Sequence, residues 1–174
     1  AVKIGMLGSA DIAEVVADRL EDLPVPIVFD PVMVATSGSV LADEATVGAF
    51  EWLMELATLT TPNLPELAAL GGAGAMAERG IAWLAKGGDA EGPTVEDILH
   101  RPDRAPVMWQ APRIITRHTH GTGCTLASAI ATLLAQGRDL EAAVAEGRDF
   151  VRRALEAAPG FGSGAGPMGH QAVR

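Results

Sequence analysis

The sequence predicts an α/β fold with a mainly parallel sheet that is covered by helices on both faces. Short, mostly apolar β-prone segments alternate along the chain with longer segments whose apolar residues recur at helical spacing. This alternation is typical of β-α-β units, which build parallel sheets. Because the predicted strands are apolar almost throughout, we expect helices to bury the sheet from both sides.

Four strands and three helices are predicted in the first half of the chain. The strands occupy residues 4–7, 25–29, 58–61 and 81–85, and each stops at glycine, at proline, or at a polar residue followed by one of them. The first helix covers residues 11–20, with Ser9 or Asp11 as its cap. The second starts at Asp43, whose charge suits a helix N-terminus, and the third starts at residue 63.

In the second half of the chain, the sequence predicts short β-prone pieces up to residue 117 and then two helices. Residues 95–99, 107–109 and 114–116 are β-prone pieces split by prolines, so we expect a meander or edge strands there. A glycine motif then leads into a helix whose apolar residues keep helical spacing. Another helix is predicted over residues 140–157, and residues 160–167 are too rich in glycine for helix or strand.

The composition excludes several classes of function. With 174 residues and 48% hydrophobic content, the chain can bury one sizeable core, and we expect a single domain over residues 1–174. No stretch reaches the roughly 18 consecutive apolar residues of a membrane span, and no secretory signal is visible. The net charge of -9, without a basic cluster, makes nucleic acid a poor partner. A single cysteine cannot form an internal disulfide, so a cytoplasmic location is expected.

The most informative segment is a glycine-bracketed turn at residues 119–126, which leads into a helix. Gly121 and Gly123 are expected to adopt positive φ and to let the backbone approach a ligand closely. Successive N–H groups that open onto a helix N-terminus bind anions, so this turn predicts a phosphate seat. Cys124 starts the helix, where the local field stabilises a thiolate that can accept a proton. The alternative is an ordinary strand-to-helix turn with a small buried cysteine.

Polar residues follow three of the predicted strands and should converge with the glycine turn, because ligands of parallel sheets bind beyond the carboxyl ends of the strands. Asp30 could ligate Mg²⁺, whose preferred ligands are oxygens, or act as a turn residue. Asn63 and Glu66 could face the site, or they could form only a capping box. Lys86, followed by two glycines, could neutralise phosphate charge or lie on the surface.

Five motifs occur in one order along nearly the whole chain: residues 3–9, residues 30–35 with 37–38, residues 61–66, residues 86–88 and residues 119–126. Together they resemble the hydroxymethylpyrimidine/phosphomethylpyrimidine kinases of thiamine biosynthesis, which belong to the ribokinase-like superfamily. The resemblance implies a three-layer α/β/α sandwich. It also implies transfer of the ATP γ-phosphoryl group to 4-amino-5-hydroxymethyl-2-methylpyrimidine, and then to its monophosphate, with Mg²⁺ as the metal.

The same resemblance implies a role for each matched position. Gly121, Thr122, Gly123 and Cys124 form the catalytic anion hole, and Cys124 accepts the hydroxyl proton where many ribokinase-like enzymes have an aspartate. Because phosphoryl transfer depends mainly on positioning and charge neutralisation, a weak base such as a thiol can suffice. The other implied contacts are ATP and phosphate binding by Lys86, Asn63 and Glu66, metal binding by Asp30 and Glu66, and pyrimidine binding by Met6 and Val32.

The sequence departs from the family pattern in length. It begins after the first sheet strands and a glycine-rich substrate loop of the family, so it corresponds to about the C-terminal two-thirds of the family domain, and it lacks most of one helix between residues 70 and 86. Two alternatives stay open: a pyridoxal or pyridoxine kinase of the same superfamily, and a truncated, non-catalytic nucleotide- or pyrimidine-binding module. The expected partners are a pyrimidine alcohol and its phosphate, without nucleic acid or membrane, and a homodimer is consistent with the family.

Overall fold

Six strands form one sheet in the computed structural model, which describes residues 1–34 and 38–173. Ala35 and Ser37, which belong to the second matched motif, lie outside the described residues. The strands are β1 (Val2–Ile4), β2 (Ile27–Phe29), β3 (Leu59–Thr60), β4 (Trp83–Ala85), β5 (Thr94–Arg101) and β6 (Arg104–Pro112). The helices are α1 (Ala10–Leu20), α2 (Glu44–Leu56), α3 (Leu64–Ala69), α4 (Gly72–Glu78), α5 (Thr122–Ala135) and α6 (Leu140–Glu156), and a 3₁₀-helix covers His170–Ala172.

The strands lie in the sheet in the order of the sequence, and the first four are parallel. β5 runs antiparallel to β4, and β6 runs antiparallel to β5. The predicted mainly parallel sheet, with a hairpin as its antiparallel edge, is therefore confirmed. Because β1 to β4 share one direction, the loops that follow them emerge at one edge of the sheet, which we call the C-terminal rim.

Each face of the sheet carries its own hydrophobic core. Along β2, Ile27 and Phe29 belong to the core formed with α1 to α4, whereas Val28 belongs to the core formed with α5 and α6. Phe29 meets Phe50 of α2 edge to face at 5.1 Å between ring centroids. On the other face, Ile130 of α5 packs in the same buried cluster as Val28. The strands are thus buried from both sides, and the predicted three-layer α/β/α architecture is confirmed.

The bounds of several elements differ from the prediction. β1 covers Val2–Ile4 instead of residues 4–7, because its register is set by pairing with β2, and Val2 lies opposite Ile27. Residues 114–116 form no strand, although they are β-prone. β6 instead runs through Pro106, since residues 105–106 stand opposite the single residue His100 in a bulge on the edge strand. Proline is tolerated at such positions because no ladder hydrogen bond is required of it.

Local capping signals agree with the structure. The Ser9 hydroxyl accepts the Ile12 N–H at the start of α1, and the Asp43 carboxylate accepts the Thr46 N–H at the start of α2. Between residues 70 and 86, where the sequence predicts that most of one helix is lacking, the seven-residue α4 leads into β4. No helix in residues 1–34 or 38–173 combines the length and the apolar character that a bilayer crossing requires.

Candidate active site

The C-terminal rim gathers most of the polar residues singled out in the sequence. Asp30 follows β2, and Asn63, which follows β3, forms a parallel bridge with Lys86 after β4. The Lys86 N–H donates to the Pro62 carbonyl at 3.0 Å, so the parallel pairing continues past the strand ends. The sheet therefore fixes the backbone positions from which these side chains reach toward one another.

Asp30, Glu66 and Lys86 form a buried cluster of charges, here called the carboxylate–lysine cluster. Lys86 Nζ lies 2.6 Å from Asp30 Oδ1 and 3.8 Å from Glu66 Oε2. Asp30 is 1% exposed, Glu66 is 5% exposed, and the Lys86 side chain is 13% exposed. Lys86 is thus an internal lysine rather than a surface one. Since buried ion pairs contribute little net stability, such a cluster at a strand-end rim indicates a functional site.

Glu66 belongs to the cluster and to the cap of α3 at the same time. Its carboxylate accepts the Asn63 N–H, and the Asn63 side chain accepts the Glu66 N–H, each at 2.8 Å, so the capping box is present. Burial raises the pKa of the Glu66 carboxyl, while the positive charge of Lys86 acts in the opposite direction. The two interpretations of Asn63 and Glu66 are therefore compatible, because the cap aims Glu66 at Lys86.

The glycine turn places the start of α5 against the cluster. Gly121 is the N-cap residue of α5 with φ 82°, and α5 has no side-chain cap, so N–H groups of its first turn are open to a ligand. Gly123 does not have positive φ, contrary to the prediction, because it lies inside α5. Its importance is steric: a Cβ there would lie 3.3 Å from Lys86 Nζ and 3.5 Å from Asp30 Oδ2.

Cys124 is exposed, which rules out the alternative of a small buried cysteine. It lies at one end of a groove of about 790 Å³ between α5 and α6, which Phe150 and His170 also line. The hydroxyl oxygen of Thr125, the residue after Cys124, lies 2.9 Å from His170 Nε2. On the other side of the turn, the His120 N–H donates to the Gly166 carbonyl at 3.3 Å. The C-terminal segment thus packs against both sides of the glycine turn.

Met6 and Val32 lie on the same rim as the cluster. Met6 follows β1 and Val32 follows β2, two strands that pair in parallel. Met6 is 59% exposed, so its thioether is available to a flat ring, and Val32 is half-buried.

The described residues offer Asp30 and Glu66 as a pair of carboxylates near the rim. Within residues 1–34 and 38–173, no group of three His, Cys, Asp or Glu side chains is placed to hold a metal ion. A pair is nevertheless sufficient for Mg²⁺ when substrate phosphates and water supply the remaining oxygens. With both carboxylates ionised, the carboxylate–lysine cluster has a net negative charge, which a divalent cation would offset.

Comparison with known proteins identifies the family. A family model described as phosphomethylpyrimidine kinase matches residues 1–169. The chain belongs to the phosphomethylpyrimidine kinase family. A hydroxymethylpyrimidine/phosphomethylpyrimidine kinase of Streptomyces coelicolor is 42% identical over 185 residues, which cover 98% of this chain and 68% of that protein.

Solved structures of similar proteins share the fold of this family member. An ADP complex of Bacillus subtilis pyridoxal kinase has a TM-score of 0.89 at 28% identity, covering 99% of this chain and 71% of that one. A phosphomethylpyrimidine kinase of Clostridium difficile has a TM-score of 0.73 at 29% identity, with 89% and 68% of the two chains covered.

Two residues that shape the site of this phosphomethylpyrimidine kinase family member were not predicted from the sequence. The Thr61 hydroxyl donates to Asp30 Oδ1 at 3.0 Å. The Arg113 guanidinium donates to three carbonyls of the loop that follows Lys86, at Gly88, Ala90 and Gly92. Thr61 was visible as part of a matched motif, but Arg113 lies in a proline-rich region without a local signal that points to a loop 21 to 25 residues away.

Proposed function

We propose that this family member transfers the γ-phosphoryl group of ATP to the hydroxymethyl oxygen of 4-amino-5-hydroxymethyl-2-methylpyrimidine, and then to the monophosphate that results. The observation that supports this most directly is the approach of Gly123, in the open first turn of α5, to Lys86 and Asp30. Backbone donors, a cation and a carboxylate are thereby within reach of one phosphoryl group. The names of the similar kinases supply the substrate class.

The phosphate end of the site rests on Gly121, Gly123 and Lys86. Uncapped N–H groups at the start of α5 favour negative charge, and they need no rearrangement when the charge of a transferring phosphoryl group develops. Lys86 offsets the charge of the same group from the opposite side, since its Nζ is close to the position that a Cβ at Gly123 would take. Thr122 stands between the two glycines, and its own N–H donates to the Thr119 carbonyl at 3.3 Å, so the donors left for the phosphate in this turn are the Gly123 and Cys124 N–H groups.

The nucleotide would be held with Mg²⁺ beside Asp30 and Glu66. Their oxygens are the ligand type that Mg²⁺ prefers, and Asn63 orients Glu66 through the capping box. A bound metal ion would be held by Asp30 and Glu66, and it would supply charge neutralisation for the phosphates. Lys86 pairs with both carboxylates and so holds them at the rim.

The alcohol end of the site rests on Met6, Val32 and Cys124. The apolar side chains of Met6 and Val32 suit a flat heteroaromatic ring. In the reaction, the alcohol oxygen forms a bond to the γ-phosphorus while the bond from that phosphorus to the bridging oxygen breaks, and ADP leaves. The hydroxyl proton passes to the thiolate of Cys124, which is exposed and adjacent to Gly123. A modest base is sufficient because the transition state is loose.

The test is a steady-state assay of ADP release with ATP, Mg²⁺ and each acceptor in turn: the pyrimidine alcohol, its monophosphate and pyridoxal. We expect turnover with both pyrimidine acceptors and a higher kcat/KM for the pyrimidine alcohol than for pyridoxal. A clear preference for pyridoxal would favour the vitamin B6 kinase, since pyridoxal kinases are among the similar structures. Binding of ATP without turnover of any acceptor would favour a non-catalytic module.

A further inference from the structure

We infer that Asp97 is a positioning residue of the phosphoryl-transfer site, which acts through the backbone of the loop that begins at Lys86. The inference rests on the proposed function, because the loop matters for catalysis only if Lys86 contacts the phosphates. Asp97 lies on β5, outside all five matched motifs, and it is 8% exposed. A buried carboxylate requires partners, and its two oxygens have different ones.

One oxygen of Asp97 holds the loop. The Gly87 N–H donates to Asp97 Oδ1 at 2.9 Å in a buried hydrogen bond. Gly87 follows Lys86 directly, so this bond fixes the peptide from which the Lys86 side chain leaves the backbone. A Cβ at Gly87 would lie 2.0 Å from the Glu96 carbonyl oxygen, which shows how closely the loop is drawn onto β5.

The other oxygen of Asp97 is held by α6. Arg148 Nε donates to Asp97 Oδ2 at 2.6 Å, and the guanidinium lies 5.6 Å from the centroid of the Trp109 ring on β6. The Arg148 side chain is 11% exposed, as is that of Asp97. Arginine over an aromatic face keeps a fixed orientation, so the carboxylate has little freedom to turn. A connected path thus runs from α6 through Asp97 and Gly87 to Lys86 and Asp30.

A positioning role for Asp97 predicts an effect on nucleotide affinity that a purely structural ion pair would not have. If Asp97 only stabilised the fold, its loss would lower stability without a specific effect on nucleotide affinity. If it positions Lys86, its loss should let the Lys86–Gly87 peptide move, and displacements near 1 Å at such a site have large effects. The conservative change Asp97→Asn keeps an oxygen acceptor for Gly87 and should preserve most of the affinity.

The experiment compares Asp97→Ala, Asp97→Asn and Val144→Ala with the wild-type chain. Val144 is fully buried in the core between the sheet and α6, so its truncation lowers stability without touching the loop. The dissociation constant of a non-hydrolysable ATP analogue with Mg²⁺ is measured by calorimetry, and hydrogen exchange of the Gly87 amide is measured by NMR. For Asp97→Ala we expect an affinity about tenfold weaker and lost protection of the Gly87 amide, with neither change in Val144→Ala.

Equal affinity in Asp97→Ala and Val144→Ala would overturn the inference and leave the proposed function intact. A wild-type chain that binds no nucleotide would overturn both. Should Asp97→Ala fail to fold, Arg148→Met provides the comparison, because it keeps the Asp97 acceptor of the Gly87 N–H and removes the guanidinium that holds the carboxylate, together with the contacts of that guanidinium with Trp109. A weakened affinity in Arg148→Met that exceeds the effect of Val144→Ala would then support the inference, and equal effects would refute it.

Discussion

Lys86 Nζ and Asp30 Oδ1 lie 2.6 Å apart, and this contact joins residues that are 56 positions apart in the sequence. It connects the loops after β2 and β4 across the intervening strand β3. The pair is nearly excluded from water, and a second carboxylate, Glu66, stands 3.8 Å from the same nitrogen. One lysine therefore pairs with both carboxylates of the candidate site.

Removal of that lysine charge should affect catalysis strongly. Lys86→Met keeps most of the aliphatic volume, but it leaves Asp30 and Glu66 without a counter-charge and the transferring phosphoryl group without a cation. We expect kcat/KM for ATP to fall by about 100-fold or more. Lys3, the other lysine of the sequence, provides the control, and Lys3→Met should leave kcat/KM within about twofold. Comparable losses in the two variants would contradict the role of Lys86.

Substitutions of Cys124 and Gly123 should affect kcat and KM differently. Cys124→Ala removes the proton acceptor, and we expect kcat to fall by about 10- to 100-fold with little change in KM for ATP. Gly123→Ala places a methyl group 3.3 Å from Lys86 Nζ, where the phosphoryl group would sit, so the loss should be larger and should include KM.

The control for the glycine variant is Gly48→Ala in α2, where an added Cβ meets nothing within 4 Å. Its activity should match the wild type, and its stability should rise slightly because alanine is the better helix former. If Cys124→Ala lost more activity than Gly123→Ala, the backbone seat would not be the main catalytic element.

The buried Glu66 carboxyl predicts a distinct dependence of stability on pH. Its pKa is raised by burial above the ordinary value of 4.5, so the folded state binds this proton more tightly than the unfolded chain does. The stabilising contribution is complete below about pH 4.5 and is lost as pH rises through the folded-state pKa. Relative to Glu66→Gln, the wild type should therefore lose unfolding free energy as pH rises above about 4.5.

Urea denaturation of both proteins across this pH range measures the effect. Glu66→Gln keeps the oxygen that accepts the Asn63 N–H, so the cap should persist. Val144→Ala is an uncharged control, and its difference from the wild type should not vary with pH. A wild type that gains stability relative to Glu66→Gln as pH rises would show that Lys86, rather than burial, dominates this group.

Two adjacent glycines should tolerate alanine very differently. Gly87→Ala would bring a Cβ within 2.0 Å of the Glu96 backbone oxygen, so we expect a loss of about 3 kcal/mol in unfolding free energy. At Gly88 an added Cβ meets nothing within 4 Å, and φ is not positive there, so Gly88→Ala should be neutral or slightly stabilising. Thermal unfolding compares the two, and equal melting temperatures would refute the close packing of Gly87 on β5.

The sequence allowed prediction of the features that depend on near neighbours. The caps at Ser9, Asp43 and Asn63 and the helix after Gly121 follow from residues a few positions away. The alternation of predicted strands and helices was sufficient to predict a sheet with a layer of helices on each face. The exact bounds of β1 were not predictable, because they depend on pairing with β2 across a helix.

The interior of the site depended on contacts that no local pattern encodes. The sequence indicated that Asp30, Glu66 and Lys86 belong to one rim, but not that Lys86 binds both carboxylates. For Gly123 the sequence suggested backbone freedom, whereas the structure shows that the absence of a side chain matters. Asp97 and Arg148 were overlooked because their partnership spans 51 residues and joins a strand to a distant helix.

β4, β5 and β6 are consecutive in the sequence and adjacent in the sheet, and this affects the order in which contacts form during folding. Gly87 and Asp97 are separated by 10 residues, whereas Asp30 and Lys86 are separated by 56. Closing the shorter loop has the lower entropic cost, so the hairpin and the Lys86 turn can form as a nucleus before the parallel strands join. Lys86 would then already be in place at the end of β4, and the contact between Asp30 and Lys86 would form last, when the parallel strands pair.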